Sequence, residues 1–72
     1  MILVKFLGYY SELVGEREIR LPLKEVRIVD MVSKYGIPEE EVIVLINGRP
    51  AKLGYKAVEG DVVVIAPPIG GG

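Results

Sequence analysis

The sequence of 72 residues lacks cysteine, histidine and tryptophan. Without cysteine the chain has no disulfide framework, no thiolate nucleophile and no cysteine-based metal site. Without histidine it lacks the most common general base at neutral pH, and a chain this small has little volume for a pocket around its carboxylates and lysines. We therefore expect no catalytic residue, no metal site, no bound cofactor and no self-contained enzyme.

The sequence also lacks an excess of one charge and a long hydrophobic run. Lys and Arg total 9 against 10 Asp and Glu, a net charge of -1, so no basic field is available to hold a nucleic acid. The apolar N-terminal run is interrupted at Lys5 and stops at Gly8, which makes it too short for a signal sequence or a membrane span. We predict a cytoplasmic protein without a nucleic-acid or membrane partner.

Apolar residues, in contrast, are abundant. They make up 50% of the chain, which is enough for a hydrophobic core, while the length excludes a second domain. We predict one domain over residues 1–66 and a flexible tail over residues 67–72, which begins with two prolines and ends in glycines.

Two strands are predicted near the N-terminus. Ile2–Leu7 is a short run of strand-forming residues that stops at Gly8, and Glu18–Leu21 alternates polar with apolar residues. The chain turns around Gly15, so we predict that the two strands form a hairpin.

A helix is predicted in the middle of the chain. Apolar positions between Val26 and Tyr35 recur at three- and four-residue spacing, and Gly36 suits the end of an amphipathic helix. Pro38 followed by Glu39–Glu41 is typical of the first turn of a second, short helix, or of a single turn.

The second half of the domain is predicted to contain three strands. Val42–Ile46 is β-branched or aliphatic throughout, and the Asn47-Gly48 pair that follows favours a type I′ turn into a strand over Arg49–Leu53. Glu59 and Asp61 could be a carboxylate pair, but a turn around the glycine between them explains them better. The last strand is Val62–Ala66.

This order of elements predicts an α+β, β-grasp (ubiquitin-like) fold, with a mixed sheet of four to five strands packed on one main helix. The first and last runs are the most apolar and are therefore expected to pair at the centre of the sheet. If alternate residues face the helix, the others form an apolar patch on the opposite face. We predict that this patch docks a partner, unless sheet twist and loops shield it. Its residues are Leu3, Leu7, Leu45, Val62 and Val64.

The sequence ends in Gly70-Gly71-Gly72. Glycine gives a narrow and flexible backbone, which suits a carboxylate that must enter a nucleotide-binding active site, and residues 67–72 could reach roughly 20 Å. The Gly72 carboxylate is a poor electrophile until it is activated, for example by joining it to AMP from ATP. A linker or a frayed end is the alternative explanation.

Five segments carry a family resemblance over nearly the whole chain. They are Ile2 to Phe6, Glu12-Leu13-Val14-Gly15, Asn47-Gly48-Arg49, Glu59 to Val64 and Pro67 to Gly72. With these segments in this order, the chain resembles the ubiquitin-like sulfur-carrier family, which includes the small subunit of molybdopterin synthase and the thiamine-pathway sulfur carrier. The Glu-Leu-Val-Gly segment and the two prolines look more like the molybdopterin branch.

The resemblance implies chemistry at the C-terminus. An E1-like enzyme would use ATP to adenylate Gly72, a sulfurtransferase would convert it to a thiocarboxylate, and the large subunit of molybdopterin synthase would accept the sulfur. Gly71 and Gly72 match the terminal pair of the family, whereas Gly70 is a third glycine that this chemistry does not require.

Two other hypotheses remain open at this point. Relatives of this type also act as ubiquitin-like modifiers, so Gly72 could be conjugated to lysines; alternatively, the chain is a non-catalytic β-grasp interaction module whose tail is unused. The place of Tyr9 and Tyr10 is also open, since they could pack on the hairpin or line the partner face.

Overall fold

The computed structural model describes residues 1–68. Within these residues, seven strands and two helices follow one another, with a 3₁₀ turn at Glu39–Glu41. The strands are β1 (Ile2–Phe6), β2 (Glu18–Leu21), β3 (Glu25–Arg27), β4 (Ile43–Ile46), β5 (Arg49–Pro50), β6 (Lys56–Val58) and β7 (Val62–Ala66), and the helices are α1 (Tyr9–Val14) and α2 (Ile28–Lys34). Among residues 1–68, no helix is long and apolar enough to cross a membrane.

The main sheet has five strands in the order β2-β1-β7-β4-β5. Its two most apolar strands, β1 and β7, run parallel at the centre, while the other neighbouring strands are antiparallel. A second, two-stranded sheet pairs β3 with β6. This confirms the predicted α+β, β-grasp arrangement with a mixed sheet.

The hydrophobic core lies between one face of the main sheet and the helices. Alternate residues of β1, β4 and β7 point inward and are buried, as the period-two pattern predicts. Helix α2 contributes Met31 and Val32, and α1 contributes Tyr10. The inward-facing strand residues are Ile2, Val4, Phe6, Val44, Ile46, Val63 and Ile65.

The predicted hairpin between the first two strands is wrong in its connection. The strands do pair antiparallel, but helix α1 lies between them instead of a simple turn. The Ser11 hydroxyl donates to the Gly8 carbonyl at 2.8 Å, and Gly15 ends the helix in the left-handed region at φ 87°. The first strand also ends at Phe6, one residue earlier than predicted, because Gly8 turns the chain at φ 59°.

The predicted start of the main helix is also wrong. Val26 belongs to strand β3, and α2 begins at Ile28. The first helical N–H groups need partners, and backbone carbonyls supply them: Ile28 donates to Tyr55 at 3.0 Å, and Val29 donates to Leu53 at 2.9 Å. The helix therefore begins where the 53–55 loop offers acceptors.

Two strand boundaries need correction at the far edge of the sheet. Strand β4 begins at Ile43, not Val42, because the position on β7 that would pair with Val42 is Pro67, which has no N–H to donate. The strand predicted over Arg49–Leu53 has only two residues in the ladder, Arg49 and Pro50. Its proline again removes a donor.

The two adjacent tyrosines of α1 have opposite environments. Tyr10 is fully buried and its hydroxyl donates to the carbonyl of Glu41, whereas Tyr9 is exposed and contacts the Tyr10 ring edge-on, with 4.7 Å between ring centroids. Burial, followed by the neighbouring Tyr9, raises the pKa of Tyr10 to about 12. The buried phenol ties α1 to the segment before β4.

We expect this phenol to make stability fall at high pH. Tyrosine titrates near pH 10 in an unfolded chain, so from about pH 10 to about pH 12 the folded state holds a proton that the unfolded state has lost. The free energy of unfolding should therefore decrease by about 2–3 kcal/mol as pH rises through this range. Urea unfolding of the wild-type chain at pH 9 and at pH 12 measures this decrease in the free energy of unfolding.

Tyr10→Phe is the control for this pH dependence. It should cost about 1–2 kcal/mol at pH 9, because the Glu41 carbonyl loses its donor, but its stability should fall less between the two pH values. Equal losses in the two chains would show that Tyr10 is not the titrating group.

Candidate functional site: the outer face of the sheet and the tail base

The outer face of the main sheet, which points away from the core, carries the predicted apolar patch. Leu3, Leu45, Val62 and Val64 are half-buried, in contrast to the buried residues that alternate with them. Leu7, one residue beyond the end of β1, is 50% exposed. Four of the five belong to strands of the sheet, and Leu7 directly follows β1. Their role in docking stays a prediction.

The register of the strands brings these side chains together. Leu3 lies opposite Val62 across the parallel β1–β7 pair, and Leu45 lies opposite Val64 across the antiparallel β4–β7 pair. Side chains of directly opposed residues stand on the same face within contact distance of each other. The Leu7 N–H donates to the Ile65 carbonyl at 2.9 Å, which keeps Leu7 at the end of the sheet where β7 finishes.

Ile43 extends this outer face, although it is not among the five predicted patch residues. It is 42% exposed and lies opposite Ala66, the last residue of β7. The signal was present, since a step of two residues from Leu45 leads to Ile43. With Ile43 and Leu7, the apolar face continues to the point where the tail begins.

Charged side chains border the outer face on its β2 side. Lys5 lies between Glu18 of β2 and Val64 of β7, and the Glu18 and Arg20 side chains approach each other to 3.9 Å. An apolar centre with a charged rim is the usual composition of a protein–protein interface. The arrangement of this face therefore fits docking of another protein.

The tail base, defined here as Pro67 with the Gly8 backbone beneath it, lies next to this face. A Cβ atom at Gly8 would come within 3.0 Å of the Pro67 ring, and the positive φ of Gly8 is itself unfavourable for other residues. Glycine at position 8 thus lets the chain pass close to the segment after β1 as it leaves β7. Gly70, Gly71 and Gly72 lie outside the described residues.

The turn at Asn47-Gly48 is structural, as predicted. Both residues have positive φ, 52° and 83°, which the type I′ turn requires. The Asn47 side chain accepts from the Val62 N–H at 2.9 Å and donates to Asp61 at 2.9 Å. The hairpin is thereby joined to the start of β7.

Asp61 and Glu59 do not form a paired-carboxylate site. One Asp61 oxygen accepts from the Val58 N–H at 2.8 Å, and this bond, followed by the one from Asn47, lowers the pKa of the carboxyl group. Glu59 binds the amino group of Met1 instead. Within residues 1–68, no group of three or more acidic side chains is placed to hold a metal ion.

Comparison with known proteins gives a family and a set of similar structures. The model of the ThiS family matches residues 4–72, which is nearly the whole chain. No curated protein sequence matches significantly.

Similar solved structures include SAMP1 from Haloferax volcanii (24% identity, 99% of this chain and 98% of that chain, TM-score 0.73). The putative molybdopterin converting factor subunit 1 from Pyrococcus furiosus is 25% identical over 94% of this chain and 97% of that chain, with a TM-score of 0.69. The structure of the complex of subunits 1 and 2 of molybdopterin-converting factor from Helicobacter pylori contains a similar chain. It is 21% identical over 99% of this chain and 97% of that chain, with a TM-score of 0.63. These likenesses confirm the β-grasp fold, and the family match shows that the chain belongs to the ThiS family.

Proposed function

We propose that the chain is a sulfur-carrier protein that acts through the carboxyl group of Gly72. An E1-like enzyme binds ATP, and a carboxylate oxygen of Gly72 attacks its α-phosphorus and releases pyrophosphate. The outer sulfur of a persulfide on a sulfurtransferase then attacks the acyl carbon, and AMP leaves. A thiol next attacks the enzyme-side sulfur of the resulting acyl disulfide, so that the C-terminal acyl group departs with its sulfur and a disulfide remains on the sulfurtransferase side. The product is a thiocarboxylate, and the chain itself is a substrate and carrier, not an enzyme.

The observation that carries this proposal is the position of the tail base. Strand β7 ends at Ala66 beside Leu7 and Ile43, so residues 67–72 follow directly from the end of an apolar, partly exposed face. A partner that docks on this face is in position to receive the following residues. The family match, which extends to residue 72, supports the same conclusion.

We propose molybdopterin biosynthesis as the pathway, with the large subunit of molybdopterin synthase as the sulfur acceptor. The similarity to a putative molybdopterin converting factor subunit 1 supports this choice. The similar structure from Helicobacter pylori is a complex of two subunits, which supports a second, larger subunit as partner. The cytoplasmic location and the division into residues 1–66 and 67–72 stay predictions.

A second candidate function is conjugation to lysine side chains as a ubiquitin-like modifier. The similarity to SAMP1 structures, which include the small archaeal modifier protein 1 of Methanosarcina acetivorans, favours it. Both functions begin with the same adenylation of Gly72, and they differ in the nucleophile that follows. A plain interaction module would require no adenylation.

Intact-mass measurement separates these functions. The chain is incubated with its cognate E1-like enzyme, ATP, a sulfurtransferase and a sulfur source, and we expect a mass gain equal to the exchange of one oxygen atom for sulfur. Adducts on lysines of other proteins, in extracts supplied with ATP, would support the modifier. A chain that is never adenylated would be an interaction module, and the proposal would be wrong.

A further inference from the structure

Helix α1 presents two apolar side chains to solvent directly beside the tail base. Tyr9 and Leu13 are 54% and 55% exposed, and their four-residue spacing places them on one face of the helix. Tyr9 follows Gly8 in the chain, and a Cβ atom placed on Gly8 would lie 3.0 Å from the Pro67 ring. The exposed face of α1 therefore begins within a few ångströms of the point where the chain leaves the domain.

The other apolar residues of α1 pack in or against the core, whereas more than half of the surface of Tyr9 and of Leu13 is exposed. Tyr10 fills the core and binds the Glu41 carbonyl, and Val14 packs against the core from the last turn. Gly15 closes the helix, with its N–H donating to the Ser11 carbonyl at 2.9 Å. Leu13 lies between Tyr10 and Val14 in the sequence, but its side chain is exposed to solvent.

The length of the tail restricts where an enzyme that acts on Gly72 can bind. From Pro68 to Gly72 there are four residue steps, which span about 14 Å when fully extended. The entrance to the enzyme's active site must therefore lie against the surface around the tail base. An interface of standard size covers about 800 Å² of each partner, a disc about 16 Å in radius, and a disc of that size centred on the tail base includes α1.

We propose that Tyr9 and Leu13 dock onto the enzyme that activates Gly72, next to the entrance of its active site. This inference rests on the proposed function and adds a second element to the docking surface, which then includes helix α1 as well as the outer face of the sheet. Two large apolar side chains that are half exposed in the free chain gain burial when the enzyme covers them.

Leu13→Ser tests this inference. Adenylation by the cognate E1-like enzyme is followed by pyrophosphate release at varied concentrations of the chain. We expect KM to rise about tenfold while kcat changes by less than about twofold, because the substitution removes binding and leaves the tail unchanged. The matched control is Leu23→Ser, since Leu23 is 43% exposed in the β2–β3 connection, far from the tail base; its KM should stay that of the wild-type chain.

Tyr9→Ser provides a second, independent measurement of the same surface, with urea unfolding to confirm that the variant is folded. A higher KM for both α1 variants, with the control unchanged, supports the inference. Wild-type KM values for both would overturn it and leave the proposed function intact. An equal rise in Leu23→Ser would also overturn it, because the effect would not be local to α1. A wild-type chain that is not adenylated would overturn both proposals.

Discussion

A chain that lacks Gly71 and Gly72 should not be adenylated, with a loss of at least about 1,000-fold relative to the 72-residue chain. The deletion withdraws the terminal carboxylate by two residues, about 7 Å, from the α-phosphorus of ATP, and misplacement by as little as 1 Å can cost about 100-fold. Its free energy of unfolding should stay within about 0.5 kcal/mol of the wild-type value, because the ladder of β7 ends at Ala66. Pyrophosphate release and urea unfolding measure the two quantities.

The three identical glycines offer a matched control for this deletion. Removal of any one of them gives the same chain, which still ends in Gly-Gly but reaches about 3.5 Å less far. If Gly70 is a spacer, the chain with one glycine removed keeps part of the adenylation activity. The part of the activity that is lost then measures the effect of the shorter reach alone. Adenylation of the two-glycine deletion at the wild-type rate would contradict a role for the C-terminal pair.

The second large effect is expected from a charge on the outer face of the sheet. Leu45→Glu places a carboxylate opposite Val64, near the middle of the apolar face. In the free chain this carboxylate can reach water, but under a docked partner it loses its hydration, which costs about 3–4 kcal/mol. The dissociation constant for the proposed partner, the large subunit of molybdopterin synthase, should therefore rise by about 100- to 1,000-fold, measured by titration calorimetry.

Leu23→Glu is the control for this substitution, since it makes the same chemical change at an exposed leucine away from the outer face. We expect it to bind like the wild-type chain. Both variants should unfold cooperatively, with Leu45→Glu less stable by about 1 kcal/mol because Leu45 is half-buried. Wild-type affinity in a folded Leu45→Glu chain would show that partners dock elsewhere.

The elements that sequence predicts well are those with a long or unambiguous pattern. The apolar runs of β1 and β7 and their central pairing follow from composition, and the Asn47-Gly48 turn follows from the positive φ that both positions need. The outer face follows from period two, once the inward-facing residues are known. The patch residues Leu3 and Leu45 could therefore be placed before the structure.

The elements that were mispredicted depend on contacts between distant residues. Helix α1 has only six residues, too few for a clear period, and it is fixed by the Tyr10 hydroxyl on a carbonyl 31 residues away. The spacing of Val26 fits a helix as well as a strand, and its pairing with Ala57 in the second sheet decides the matter. The role of Gly8 also depends on a distant residue, Pro67, which sequence spacing does not reveal.

The parallel pairing of β1 with β7 has a consequence for the order of events during synthesis. The first strand of the domain cannot acquire its central neighbour until β7 has been made, so the sheet, and with it the outer face, is completed only after residue 66 has been synthesised. Val62 and Val64, which complete that face, are followed within ten residues by Gly72. A nascent chain therefore offers no complete outer face to a partner until β7 has been made and has paired with β1.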